Sequence, residues 1–144
     1  MPELELYNVI WLFVVIFMLH DFEEIITVEK WAKAKGKKVK LHNNWIRSKI
    51  WSFWNISSYT FAKRDIFIFL FMAIITFIKA LYLESYWSSV LFVSFLIFVL
   101  LHNLIHILQT LIIRAYTPGL YTAILLVTPY TVYILYRLRD ASLI

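Results

Sequence analysis

The sequence predicts an all-α fold: a polytopic membrane protein with four transmembrane helices in a bundle and an interfacial amphipathic helix in the first loop. Three observations predict it. Of the 144 residues, 62% are hydrophobic and the mean hydropathy is +0.74, above the roughly 45–50% apolar share of soluble domains. Four apolar runs are each near the roughly 20 residues that cross about 30 Å of hydrocarbon. Ten of the fourteen Lys and Arg residues are gathered between Lys30 and Arg64, in the one long connection. The length fits a single domain, 1–144.

The first run spans about Leu6 to Val28, and its start, Met1-Pro2-Glu3-Leu4-Glu5, is acidic. A signal peptide needs a positive leading region and a small-residue cleavage site, so this span is expected to stay in the mature protein. Inside it stands His20-Asp21-Phe22-Glu23-Glu24. Charged groups at the centre of a bilayer cost a few kcal/mol or more, which makes intramembrane ionisable residues functional candidates. His20, Glu23 and Glu24 are i, i+3 and i+4 and share one helical face. A divalent metal is the most economical partner for three such groups.

The connection from Glu29 to Asp65 divides in two. Lys30 to Lys40 is basic and carries Gly36, which predicts a solvated turn or short linker. Trp45 to Phe61 mixes tryptophans with Arg47, Lys49 and serines, which predicts a helix lying on the headgroups or a lid across the bundle. His42 reads as a surface histidine. By the positive-inside rule this loop is cytoplasmic and both termini face outward. The net charge of +5 fits anionic lipid headgroups, with no need for nucleic acid.

The second span runs from about Ile66 to Leu83 and the third from about Trp87 to Ile113. The third contains His102-Asn103-Leu104-Ile105-His106, two imidazoles at i, i+4, with Gln109 one turn further on the same face. Two crossings separate spans one and three, so both enter from the same side. His20 then lies roughly 12 Å, and the pair His102 and His106 roughly 10 to 17 Å, from the cytoplasmic end at 1.5 Å per residue. The depths agree, and they predict His20, Glu24, His102 and His106 as an N/O metal-ligand set near the inner leaflet. Zinc suits such a set best, or iron or manganese if a second metal is bridged. One glutamate would bind metal while its neighbour takes a proton. Glu24 is expected as the ligand and Glu23 as the general base, and the spacing leaves that order open. Asp21, pointing about 100° away, is expected to support the site from behind, along with Asn103 and Gln109. The competing reading is a hydrogen-bonded His/Glu network or proton path without metal.

The last span runs from about Leu120 to Tyr136, entered through Tyr116-Thr117-Pro118-Gly119. Pro118 fixes φ and Gly119 permits a tight turn. Tyr116 is expected as an interfacial anchor or a catalytic, substrate-binding hydroxyl. Arg114 is expected as an inside-facing anchor or a partner for a carboxylate or phosphate.

Absences narrow the chemistry. No cysteine is present, which excludes disulfides, thiolate ligands, iron–sulfur clusters and a cysteine nucleophile. Gly36 and Gly119 are the only glycines, so neither a Gly-rich phosphate loop nor a dinucleotide fingerprint can form.

His20 to Glu24, with a further histidine at His102 or His106 and Tyr116 to Gly119, resembles the HXXEE family of small membrane proteins. The resemblance covers the chain from the first span to the start of the fourth. It supports the site and leaves the reaction open. A weaker likeness is to intramembrane CAAX-type metalloproteases, through Glu23-Glu24 and the Phe98 to His102 spacing. The arginine that family carries four residues after the pair is Val28 here. The expected function is a metal-dependent hydrolase acting on a lipid-like or membrane-embedded substrate. The alternatives are a di-iron oxidase or hydroxylase and a proton or metal-ion transporter.

Overall fold

The computed structural model describes residues 4–40 and 45–144, with side chains omitted for 36–40. The described residues are α-helical with no strand: α1 (Leu6–Lys40), α2 (Trp45–Trp54), α3 (Ser58–Leu81), α4 (Tyr86–Ile113), α5 (Leu120–Thr122) and α6 (Thr128–Asp140). A π-helical turn, Ala123–Val127, joins α5 to α6. Its cause is local. Pro129, in the first turn of α6, brings no backbone N–H, and the ladder reorganises just ahead of it.

Cross-helix contacts fix the directions. Trp11 meets Phe77, and Ser58 donates to the Ile25 carbonyl, so α1 and α3 are antiparallel. Phe13 meets Phe92 and Phe95 while His20 meets His102, so α1 and α4 run parallel. Tyr130 donates to the Val9 carbonyl and Arg137 to the Leu4 carbonyl, so α6 returns antiparallel to α1. This up-down arrangement brings the motif of α1 level with the histidines of α4.

Two apolar clusters bracket a polar layer. Val9, Phe13, Phe17, Phe92, Leu96 and Ile134 fill one end. Val28, Trp31, Trp54, Phe61 and Ile113 fill the other. The layer between them holds buried His20, Asp21, Glu24, Asp65, Asn103 and His106. Outward faces are apolar as well, with Leu19, Ile26, Phe67, Phe71, Phe98, Leu101 and Leu125 exposed. Among the described residues one helix, Tyr86–Ile113, is long and apolar enough to cross a membrane by length and composition. In α3 the apolar run carries Arg64, Asp65 and Lys79.

Two expectations about the first connection are corrected. Lys30 to Lys40 is a continuation of α1, which is therefore 35 residues long, or about 52 Å at 1.5 Å per residue. Ala32, Ala34 and the lysines are good helix formers, and one glycine costs only about 1 kcal/mol in a helix. The segment Trp45 to Phe61 is not one helix either. It breaks after Trp54 and restarts where Ser57 caps α3, its hydroxyl accepting from the Thr60 N–H. The lid reading fits the end of α2, because Trp54 is buried, stacks on Phe61 and donates Nε1 to Gln109 Oε1 at 2.8 Å. His42 lies outside the described residues.

Candidate metal centre

Helical spacing alone puts His20 and Glu24 on one face of α1, and His102 and His106 on one face of α4. Parallel packing turns the two faces toward each other. One ligand atom from each of the four lies within 4.8 Å of all the others. His106 Nε2 is 2.9 Å from His102 Nε2 and 3.3 Å from Glu24 Oε1, and His20 Nε2 is 3.5 Å from His102 Nε2. A tetrahedral site with metal–ligand bonds of 2.0–2.1 Å has ligand–ligand edges of about 3.3–3.4 Å. The three measured separations bracket that value. Three imidazole nitrogens and a carboxylate oxygen so disposed fit a divalent cation, and zinc, iron or manganese all accept this donor set.

The hydrogen bonds behind His20 fix which of its nitrogens faces the cluster. His20 Nδ1 is 2.9 Å from Thr122 Oγ1. That hydroxyl has one proton, and its shortest acceptor is Glu23 Oε2 at 2.6 Å. It must therefore accept from Nδ1–H, which assigns the tautomer and leaves Nε2 as a lone pair toward Glu24, His102 and His106. Glu23 is saturated by donors. Tyr116 Oη donates to Oε1 at 2.6 Å and the Tyr121 N–H at 3.3 Å, while the Thr122 N–H reaches Oε2 at 2.7 Å. The carboxylate is thus held by Tyr116 and by α5, and it locks His20 through Thr122.

The turn before that helix is shaped by the same groups. Gly119 has φ +80°, and a Cβ there would come within 2.9 Å of Glu24 Cγ, Glu24 Oε1 and His106 Cε1. Glycine is required both for the backbone conformation and for the close approach. Tyr116 donates its hydroxyl proton in a hydrogen bond to Glu23. Burial, and the bond to Glu23, push that hydroxyl well above the usual tyrosine range and keep its proton on. The Trp31 indole N–H holds the Tyr116 carbonyl, and Thr117 joins Thr110 at 2.7 Å.

The remaining predicted residues take other places. Asn103 donates to Thr128 Oγ1 at 2.9 Å, tying α4 to α6. Gln109 accepts from Trp54. Arg114 is exposed and caps α4 in the left-handed conformation, φ 56°. Asp21 is buried, and its carboxylate gathers with those of Glu24 and Asp65 in a second group whose ligand atoms also lie within 4.8 Å of one another. Asp65 and Thr122 were not singled out from the sequence. Asp65 follows Lys63-Arg64 and reads as part of a solvated charged run, and Thr122 reads as an ordinary helix residue.

A cavity of ≈ 630 Å³ reaches the cluster. His102, His106, Glu24, Asp21 and Asp65 line its polar part. Phe67 and Phe71 of α3 and Phe98 and Ile105 of α4, all exposed, also line it. Arg64 also lines it, with its guanidinium over the rings of Phe53 and Phe61 at 4.5 and 4.8 Å.

No curated protein and no solved structure matches this chain. One family does, over residues 11–134, a range that takes in the motif helix, both histidines of α4 and the Tyr116 to Gly119 turn. The chain belongs to the family described as "Protein of unknown function with HXXEE motif".

Proposed function

We propose that this is a membrane-embedded, metal-dependent enzyme of hydrolase type whose substrate is an amphiphile entering sideways between α3 and α4. The observation that carries the reading is the cavity, with a cation-competent His/Glu set inside and a lining of exposed aromatic and aliphatic side chains. Pockets for apolar ligands have this form, mostly hydrophobic walls with a few converging polar groups. A divalent ion held by His20, Glu24, His102 and His106 would supply Lewis-acid polarisation of a substrate oxygen.

In this reading Glu23 is a positioning residue. Its four donors hold it as an anion in place, so it orients His20 through Thr122, and Tyr116 anchors it in turn. Arg64, at the cavity wall, offers a charge for an anionic headgroup. The four long helical segments lie in the bilayer, which gives their exposed apolar faces a solvent suited to them. The basic end of α1 and the metal centre lie toward the cytoplasmic leaflet, with the termini outward.

The test is turnover of ester, phosphoester and amide amphiphiles by the detergent-purified protein, with and without chelation. Chelator-sensitive hydrolysis that His106→Ala abolishes is the expected outcome. A fully metal-loaded protein that turns over no amphiphile would remove the enzyme reading.

A second reading, a proton or metal-ion transporter, is favoured by one observation. Asp21 and Asp65 also line a smaller cavity of ≈ 260 Å³, with Met18, Phe22 and Ile66, so the carboxylates stand between two cavities. Ion uptake into proteoliposomes that Asp65→Asn blocks would support this reading and set it apart from the enzyme.

A further inference from the structure

We propose that Asp21, Glu24 and Asp65 form a second divalent-cation site, which shares Glu24 with the His20, His102 and His106 set.

Asp21 and Glu24 are i, i+3 on α1, and Asp65 faces them from the antiparallel α3. The three side chains are only 5%, 4% and 5% exposed, and one oxygen from each lies within 4.8 Å of the other two. Three carboxylates this close and this buried repel one another and lose their hydration, so they must take up either protons or a cation. The charge of Arg64 acts on Glu24 and Asp65, but its guanidinium lies over Phe53 and Phe61, and among the described residues no ion pair joins it to these acids.

A separate observation points to a ligand. Asp21 Oδ2 is fully buried and has no hydrogen-bond partner, although Asp21 lines both cavities. Buried carboxylate oxygens are almost always paired, and a lone pair left open beside two other carboxylates is what an all-oxygen cation site requires. The donor set sorts the two positions by chemistry. Imidazole-rich ligation suits zinc or iron, whereas three carboxylates suit a harder ion such as Mn²⁺ or Mg²⁺. A glutamate belonging to both sets is the bridging arrangement of two-ion centres, whose ions sit about 3.5–4 Å apart.

The test uses the full-length protein in detergent, zinc-loaded and then titrated with Mn²⁺, with bound manganese counted by electron paramagnetic resonance and zinc by elemental analysis. Wild type is expected to hold one Mn²⁺ beyond its zinc and to melt at a higher temperature when Mn²⁺ is added. Asp65→Asn and Asp21→Asn, neutral and nearly isosteric, should keep the zinc and lose at least tenfold in Mn²⁺ affinity together with the thermal shift. His102→Ala reports on the other set, since it should lose zinc. Zinc-loaded wild type that takes up no Mn²⁺, or Asp variants that bind it as wild type does, would overturn the second site and leave the first standing. A wild type that binds neither ion would overturn both.

Discussion

Tyr116 donates its hydroxyl to Glu23 Oε1 across 2.6 Å, joining the turn before the last helix to the motif of the first. The two signature stretches of the chain are thus two sides of one support behind His20. Tyr116→Phe removes that donor and a longer contact, 3.3 Å, to Thr27 Oγ1. Losing a group that orients a metal ligand typically costs 10–100-fold in metal affinity. A fall of about tenfold, measured by competition with a chromophoric chelator, is expected. Affinity equal to wild type would mean that the bond positions nothing.

Thr122 carries the next link, between His20 Nδ1 and Glu23 Oε2. Thr122→Val removes the hydroxyl that sets the tautomer, and metal affinity should fall by about 10–100-fold. Thr122→Ser should restore it, because serine supplies the same hydroxyl. Failure of serine to rescue would point to packing of the methyl group instead.

Gly119→Ala meets two costs. A residue with a Cβ at φ +80° is strained by roughly 1–2 kcal/mol, and the new methyl would press on Glu24 and His106. Lower thermal stability and loss of bound metal should appear together. A variant that keeps both would show that the turn has room the geometry denies.

Trp54 closes α2 over the site through Gln109. Trp54→Phe keeps an aromatic ring against Phe61 and loses the N–H, at a cost of about 1 kcal/mol for a hydrogen bond whose partner stays behind. A double-mutant cycle with Gln109→Leu should recover most of that loss as coupling. Strict additivity would mean that the two groups do not interact in solution.

The grouping of these four side chains was legible because helical spacing and the up-down order of helices are both one-dimensional. His20 and Glu24 at i, i+4, and His102 and His106 at i, i+4, needed only a parallel pairing of their helices to meet, and the reversal of direction at α3 supplies that. The hydrogen bonding of Glu23 and Tyr116 was not legible, because only the fold brings the donors of residues 116–122 onto the Glu23 carboxylate. Asp65 was hidden by its neighbours, since a carboxylate after Lys63-Arg64 looks solvated until α3 is laid against Asp21. The helix through Lys40 was missed for a related reason. A basic run with one glycine resembles a linker, but helix propensity and the helix already formed ahead of it from Leu6 carry it on.

The proposed chemistry requires a cation held by His20, Glu24, His102 and His106. Elemental analysis of the chelator-free, detergent-purified protein, beside His102→Ala and His106→Ala, tests that most directly. Stoichiometric zinc, iron or manganese in wild type, lost in both variants while the fold persists, is the predicted result. A wild type without metal, or variants that retain it, would contradict the account and leave the four side chains as a hydrogen-bonded network alone.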